Sequence, residues 1–107
     1  MPLIQVLYDD TKITTAKMEK FCRAVKEVVA DVTGINEVFV WGNSATIKID
    51  VDPIEVIIEM SDHKVSDLEK LTSDISERVS AWKKENNFTT PATITVIPMH
   101  WKFILGV

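Results

Sequence analysis

Proline stands at position 2, directly behind Met1, and the residues after it, Leu3-Ile4-Gln5-Val6-Leu7, read as a strand that carries it into the core. With Met1 removed, its nitrogen is a secondary amine with a lone pair, able to take up and release a proton. An α-amino group titrates at about 7.7–8.0 when unperturbed, and desolvation lowers that value, so burial at a strand start brings such a base toward neutral pH, where general-base catalysis works best. A structural reading competes, because proline is tolerated at the first residue of a strand where no ladder donor is needed. If Met1 is retained, the nitrogen becomes a tertiary amide with neither a proton to give nor a useful lone pair. The pair His63-Lys64, in a loop equivalent to the one after this strand that carries Lys12, is placed to contact an anion at the start of the following helix. For His63 and Lys64 a solvated turn is the alternative.

Other chemistries find little support. The single cysteine, Cys22, falls on the apolar side of a predicted helix, where a buried structural thiol is expected rather than a nucleophile. His63 and His100 lie far apart with no cysteine near either, which is not a metal-ligand spacing, so no metal and no cofactor is expected. Gly42-Asn43-Ser44 reads as a turn and lacks the spacing of a phosphate loop. Lys48 lies in an alternating stretch and is expected to face solvent.

Sixteen acidic against twelve basic residues give a net charge of −4, and the longest basic run is Lys83-Lys84, so nucleic acid is not an expected partner. A chain of 107 residues suits one domain with its own core. No apolar run is long enough for a signal-peptide core or a membrane span, and one cysteine cannot close an internal disulfide. A soluble cytoplasmic protein with no membrane partner is the expectation.

The elements that must position these residues are marked by periodicity. Met18, Phe21, Cys22, Val25, Val28, Val29 and Val32 recur at helical spacing, with Thr14 or Thr15 as the cap and Gly34 as the left-handed stop. Leu68, Leu71, Ile75, Val79 and Trp82 form a second stripe, opened by a capping box of Ser66 and Glu69 and ending near Asn86-Asn87. Val38-Phe39-Val40-Trp41, Ile54–Met60 and Ala92–Ile97 read as further strands, and Thr46-Ile47-Lys48-Ile49-Asp50-Val51 as a hairpin or edge segment.

The halves echo each other. Met1-Pro2-Leu3-Ile4-Gln5-Val6 opens the first as Asp52-Pro53-Ile54-Glu55-Val56 opens the second, and each is followed by a basic loop, an amphipathic helix and a β-branched strand. The pattern predicts one domain of two βαβ units, about residues 1–51 and 52–107, related by a pseudo-twofold. The fold class is α/β (α+β), a four-stranded mixed sheet with both helices on one face. A ferredoxin-like arrangement, with the same element order but an antiparallel sheet, stays open. Strands apolar on both sides, such as Val56-Ile57-Ile58, leave sheet surface that two helices cannot cover, which predicts association. The apolar tail Trp101–Val107 is either a final strand or a segment that packs on a neighbouring subunit.

The Met-Pro opening, the apolar strand behind it, Lys12 ten positions after the proline and the two βαβ units resemble the tautomerase superfamily, which includes 4-oxalocrotonate tautomerase and macrophage migration inhibitory factor. The resemblance covers nearly the whole chain and is closer to fused, trimer-forming members than to half-length ones. Trp41-Gly42-Asn43-Ser44, the strand from Pro53 and Val96-Ile97-Pro98-Met99 are most similar to a small bacterial branch of unestablished activity. The resemblance implies a tautomerase-like isomerase that moves a proton on small keto or enol carboxylic acids once Met1 is removed. Pro2 would be its base, Lys12, His63 and Lys64 would hold the substrate carboxylate, and the assembly would be a homotrimer. Phe39 and Ile35 stand where relatives have cationic residues, and Thr93 and Thr95 where one relative has Tyr and Asn. A non-catalytic homo-oligomeric scaffold or small-ligand binding module of the same fold is the second functional class.

Overall fold

The computed structural model describes residues 2–107. Strand β1 (Leu3–Tyr8), helix α1 (Thr15–Thr33) and strand β2 (Phe39–Ser44) form the first unit, and β3 (Ile54–Ser61), a short 3-10 turn (Asp62–Lys64), α2 (Leu68–Glu85) and β4 (Ala92–Met99) form the second. The four strands make one sheet in the order β2-β1-β3-β4. Within each unit the strands are parallel, and β1 and β3 meet antiparallel at the centre. This is the mixed sheet expected from the repeat, and the parallel pairs exclude the all-antiparallel alternative.

Both helices begin and end where side chains or backbone satisfy the loose groups of a helix terminus. Thr14 Oγ1 accepts from the Lys17 amide at the start of α1, and Gly34, at φ +71°, closes it by donating its amide to the Ala30 carbonyl. The start of α2 departs from expectation. Its cap is Asp67, whose carboxylate accepts from the Lys70 amide, and not Ser66.

Burial alternates along β1 and β3, with Ile4, Val6, Tyr8, Ile54, Val56, Ile58 and Met60 turned toward the helices. Against them pack Phe21, Val25, Val28 and Val29 of α1 with Ile75 and Val79 of α2. Phe21 stacks on Phe88 at 4.9 Å and meets the edge of Trp82 at 6.0 Å, which ties α1 to the end of α2. Leu68 does not join this stripe and stays exposed. Cys22 does join it. The thiol is partly buried against the core, and that burial raises its pKa, the state of a structural thiol rather than a reactive one.

Two other expectations fail, and one of the two readings of the tail is excluded. Residues 46–51 form no strand but a loop between β2 and β3, in which Asp50 takes a left-handed φ of 58°. Gly42-Asn43-Ser44 is no turn and instead extends β2. The tail beyond Met99 is not a final strand, because it adds no pairing to the sheet. Among the described residues no helix is long and apolar enough to cross a membrane.

Candidate functional site

Pro2 is fully buried at the head of β1, and its carbonyl accepts from the Phe39 amide at 3.1 Å. The register continues from Leu3 opposite Glu59 and Phe39, so Pro2 sits beside buried Met60 on one side and the start of β2 on the other. These surroundings are apolar. A free amine there is poorly solvated as a cation, which is the condition that lowers its pKa. The state of Met1, on which that amine depends, lies outside the described residues.

The antiparallel meeting of β1 and β3 decides which loops share an end of the sheet with Pro2. The Asp62–Lys64 turn follows the last residue of β3, so exposed His63 and Lys64 lie at the Pro2 end. Lys12 follows the last residue of β1 and lies at the other end, beside the start of β3. Six strand residues at ~3.3 Å each put roughly 20 Å between the ends of β1. The structure therefore brings Pro2, His63 and Lys64 to one end of the sheet and sets Lys12 apart from them. Lys64 itself lines a recess of about 290 Å³ with Val32, Thr33, Val65, Ser66 and Asp67, between the end of α1 and the start of α2.

One further basic residue belongs to the Pro2 end. Ser61 pairs with Met99, so His100, exposed one residue later, stands next to the Asp62–Lys64 turn. Its distance from His63 in sequence conceals this, and only the parallel pairing of β3 with β4 reveals it. Phe39, whose amide meets the Pro2 carbonyl, is half-buried, as is Ile35 just beyond the end of α1. Thr93 lies at the Lys12 end, where its hydroxyl donates to Asp52 at 2.5 Å.

The Lys12 end holds a polar cluster that sequence reasoning missed. Asp9, at the end of β1, accepts from the Thr11 hydroxyl at 2.6 Å and the Thr11 amide at 2.9 Å, and Lys48 Nζ lies 3.1 Å from the same carboxylate oxygen. Lys48 also donates to the Ala45 carbonyl. It is largely buried in the loop after β2 and does not face solvent from a strand, as its spacing implied. The signal available in sequence was Asp9-Asp10-Thr11, since Asp followed two residues later by a hydroxyl favours a turn closed by the carboxylate.

The hydrogen bonds from the Thr11 side chain and amide, with the Lys48 ammonium behind them, hold the Asp9 carboxyl down to about 2, against an ordinary 3.8. The folded state thus favours the ionised form. Its stabilising contribution is complete above the ordinary value and is lost as pH falls through about 2. Urea titrations between those two pH values are expected to show stability rising with pH. Thr11→Val is expected to flatten that rise, and an unchanged slope would dismiss the cluster as its source.

No protein-family model matches the chain, and no curated protein matches its sequence. Solved structures do resemble it. Malonate semialdehyde decarboxylase superposes with a TM-score of 0.72 at 10% identity, covering 98% of this chain and 92% of that one. A wild-type fused 4-OT, solved as an asymmetric trimer, gives 0.68 at 13% identity over 97% and 92%. A domain of unknown function from Sebaldella termitidis gives 0.62 at 17% identity over 100% and 98%. Identities this low speak for the fold, and the coverage is above nine-tenths on both sides. The two βαβ units, the order β2-β1-β3-β4 and these full-length superpositions establish that the chain has the tautomerase superfamily fold.

Proposed function

We propose that this protein moves a proton on small keto or enol carboxylic acids in the cytoplasm, as a homotrimer, with the freed nitrogen of Pro2 as the base. The observation that carries this reading is the full burial of Pro2 against apolar neighbours, at the end of the sheet that also bears His63, Lys64 and His100. In the step envisaged, the Pro2 lone pair takes a proton from the carbon beside the carbonyl. The carbon–hydrogen bonding pair becomes the enolate double bond, and the carbonyl oxygen takes the negative charge. The proton then returns from the prolinium to another carbon or to that oxygen. A cation near the substrate carboxylate fixes its orientation and steadies the enolate.

His63 and Lys64 are at hand for that role in the same copy. Lys12 reaches a substrate at Pro2 only across a subunit boundary, because it stands at the far end of β1. A lysine supplies charge without the bidentate fork of an arginine, so slow turnover is expected. The trimeric fused 4-OT lends support to an assembled site.

The test is turnover by protein shown by intact mass to lack Met1, supplied with aryl and aliphatic 2-keto acids. Slow enolisation or ketonisation is expected. Lys12→Ala should raise KM about tenfold with little change in kcat, the loss of one charge-assisted contact made equally to substrate and transition state. Inactivity of the processed form across keto, enol and halo-acrylic acids would overturn the proposal in favour of a small-ligand binding module.

A further inference from the structure

A cavity of about 360 Å³ lies between the start of α1 and the end of α2. It occupies the helix side of the sheet at the end opposite Pro2, His63 and Lys64, because α1 starts after β1 ends and α2 ends before β4 starts. Small-molecule sites run from about 300 to 1,000 Å³ and join an apolar lining to a few convergent polar groups. This cavity has both. Ile13, Trp82 and Phe88 supply the apolar surface, and Lys17 and Lys20 reach it from α1. The two lysines stand three residues apart on one helix face, which lets both ammonium groups meet a single acid. Neither is in an ion pair among the described residues.

The sign of the ligand follows from the rest of the wall. Residues 86–90 complete it and are neutral, and no Asp or Glu lines the cavity. The carbonyls at the end of α2 are engaged within the chain. That of Trp82 accepts from the Asn86 amide and side chain, and that of Lys83 from the Phe88 amide at 2.8 Å, with Asn87 at φ 51° turning the backbone out of the helix. The Lys83 ammonium adds positive charge 5.8 Å from the centre of the Phe88 ring, held there by the Thr90 carbonyl. A cation entering the cavity therefore meets like charge and no carboxylate. The whole chain carries −4, so an anion is held by contact with these lysines and not by the long-range field.

We propose that this cavity binds a small aromatic anion, its ring against Trp82 and Phe88 and its acid group between the Lys17 and Lys20 ammonium groups. Carboxylate and phosphate suit the pair alike, since lysine presents a point charge and not a fork. The site needs neither a free Pro2 nitrogen nor any catalytic activity.

Amide and indole NMR spectra of the full chain, titrated with phenylacetate, phenyl phosphate and neutral phenylacetamide, test it. Phenylacetate or phenyl phosphate should shift the Trp82 indole and the amides of residues 86–90 saturably, and the tighter of the two names the acid. Phenylacetamide, which lacks the charge, should bind at least tenfold more weakly, as should inorganic phosphate, which lacks the ring. Lys17→Gln with Lys20→Gln should also weaken binding at least tenfold. Lys26→Gln with Lys84→Gln removes the same charge away from the cavity and should change affinity less than twofold. All four lysines are exposed, so melting curves should match the wild-type protein. No saturable shift with either anion, shifts confined to the Pro2 end, phenylacetamide or inorganic phosphate binding as tightly as the aromatic anions, or equal affinity in the two paired variants would each overturn the proposal.

Discussion

Val25→Asp is expected to leave the chain without a cooperative folding transition. Val25 is fully buried at the middle of α1, on the face it shares with Phe21, Val28 and Val29, and it packs in the cluster formed with Ile4, Val6 and Val56 of the sheet. Every side chain of that cluster is apolar but for the Tyr8 hydroxyl, which is engaged with Thr15. A carboxylate there finds no counterion, and a protonated carboxyl finds poor hydrogen-bonding company. The effective penalty for an unpaired buried charge is several kcal/mol, against a total stability of about 5–15 kcal/mol for a domain of this size. Circular dichroism should show no sigmoidal melt. A soluble mutant melting cooperatively near the wild-type temperature would mean that α1 presents a different face to the sheet.

That prediction was available from residue spacing alone, because a helix reports its buried side through a period no strand shares. Met18, Phe21, Val25, Val28 and Val29 recur at that period and are all buried. Alternation is a weaker guide. Thr46–Val51 has the pattern of a half-buried strand, yet a strand also needs a partner offering backbone groups in register. The outer sides of β2 and β4 carry no further strand, yet the segment adds to neither and instead curls back through Asp50 at positive φ. Periodicity announces two faces and says nothing of what lies against them. The cap of α2 shows a similar limit. Ser66 and Glu69 have the spacing of a capping box, but the next residue, Asp67, is an equally good acceptor and takes the Lys70 amide.

The candidate site divides along the same line. Pro2 was legible because its chemistry follows from its position in the chain, and its burial follows from the strand behind it. The partners of Pro2 were not, since Lys12 and the pair His63-Lys64 occupy equivalent loops of two similar units and nothing local distinguishes them. The antiparallel contact between β1 and β3 does so, placing His63 and Lys64 with Pro2 and Lys12 with Pro53. His100 and the Asp9–Lys48 pair were hidden for the same reason, each being brought into place by pairing between distant segments.

Protein that keeps Met1 is expected to be inactive on every substrate that the processed form turns over, and this loss should exceed that of any single side-chain substitution. The difference is electronic. In a peptide bond the Pro2 nitrogen shares its lone pair with the carbonyl of Met1, so it neither accepts a proton nor, lacking a hydrogen, donates one. Pro2→Ala tests the same nitrogen more gently. With Met1 removed, it replaces a secondary amine by a primary one that is still basic, so kcat should fall without vanishing. It also deletes ring atoms from a buried position at the head of β1, so its melting temperature must be followed alongside its rate. Paired preparations, with Met1 present and absent by intact mass and with matched melting curves, separate the two effects. Equal rates in the pair would show that proton transfer, where it occurs, runs through some other group. A rate found only in the processed form, reduced in Pro2→Ala and falling off at acid pH as the amine protonates, would assign the base to the nitrogen of Pro2.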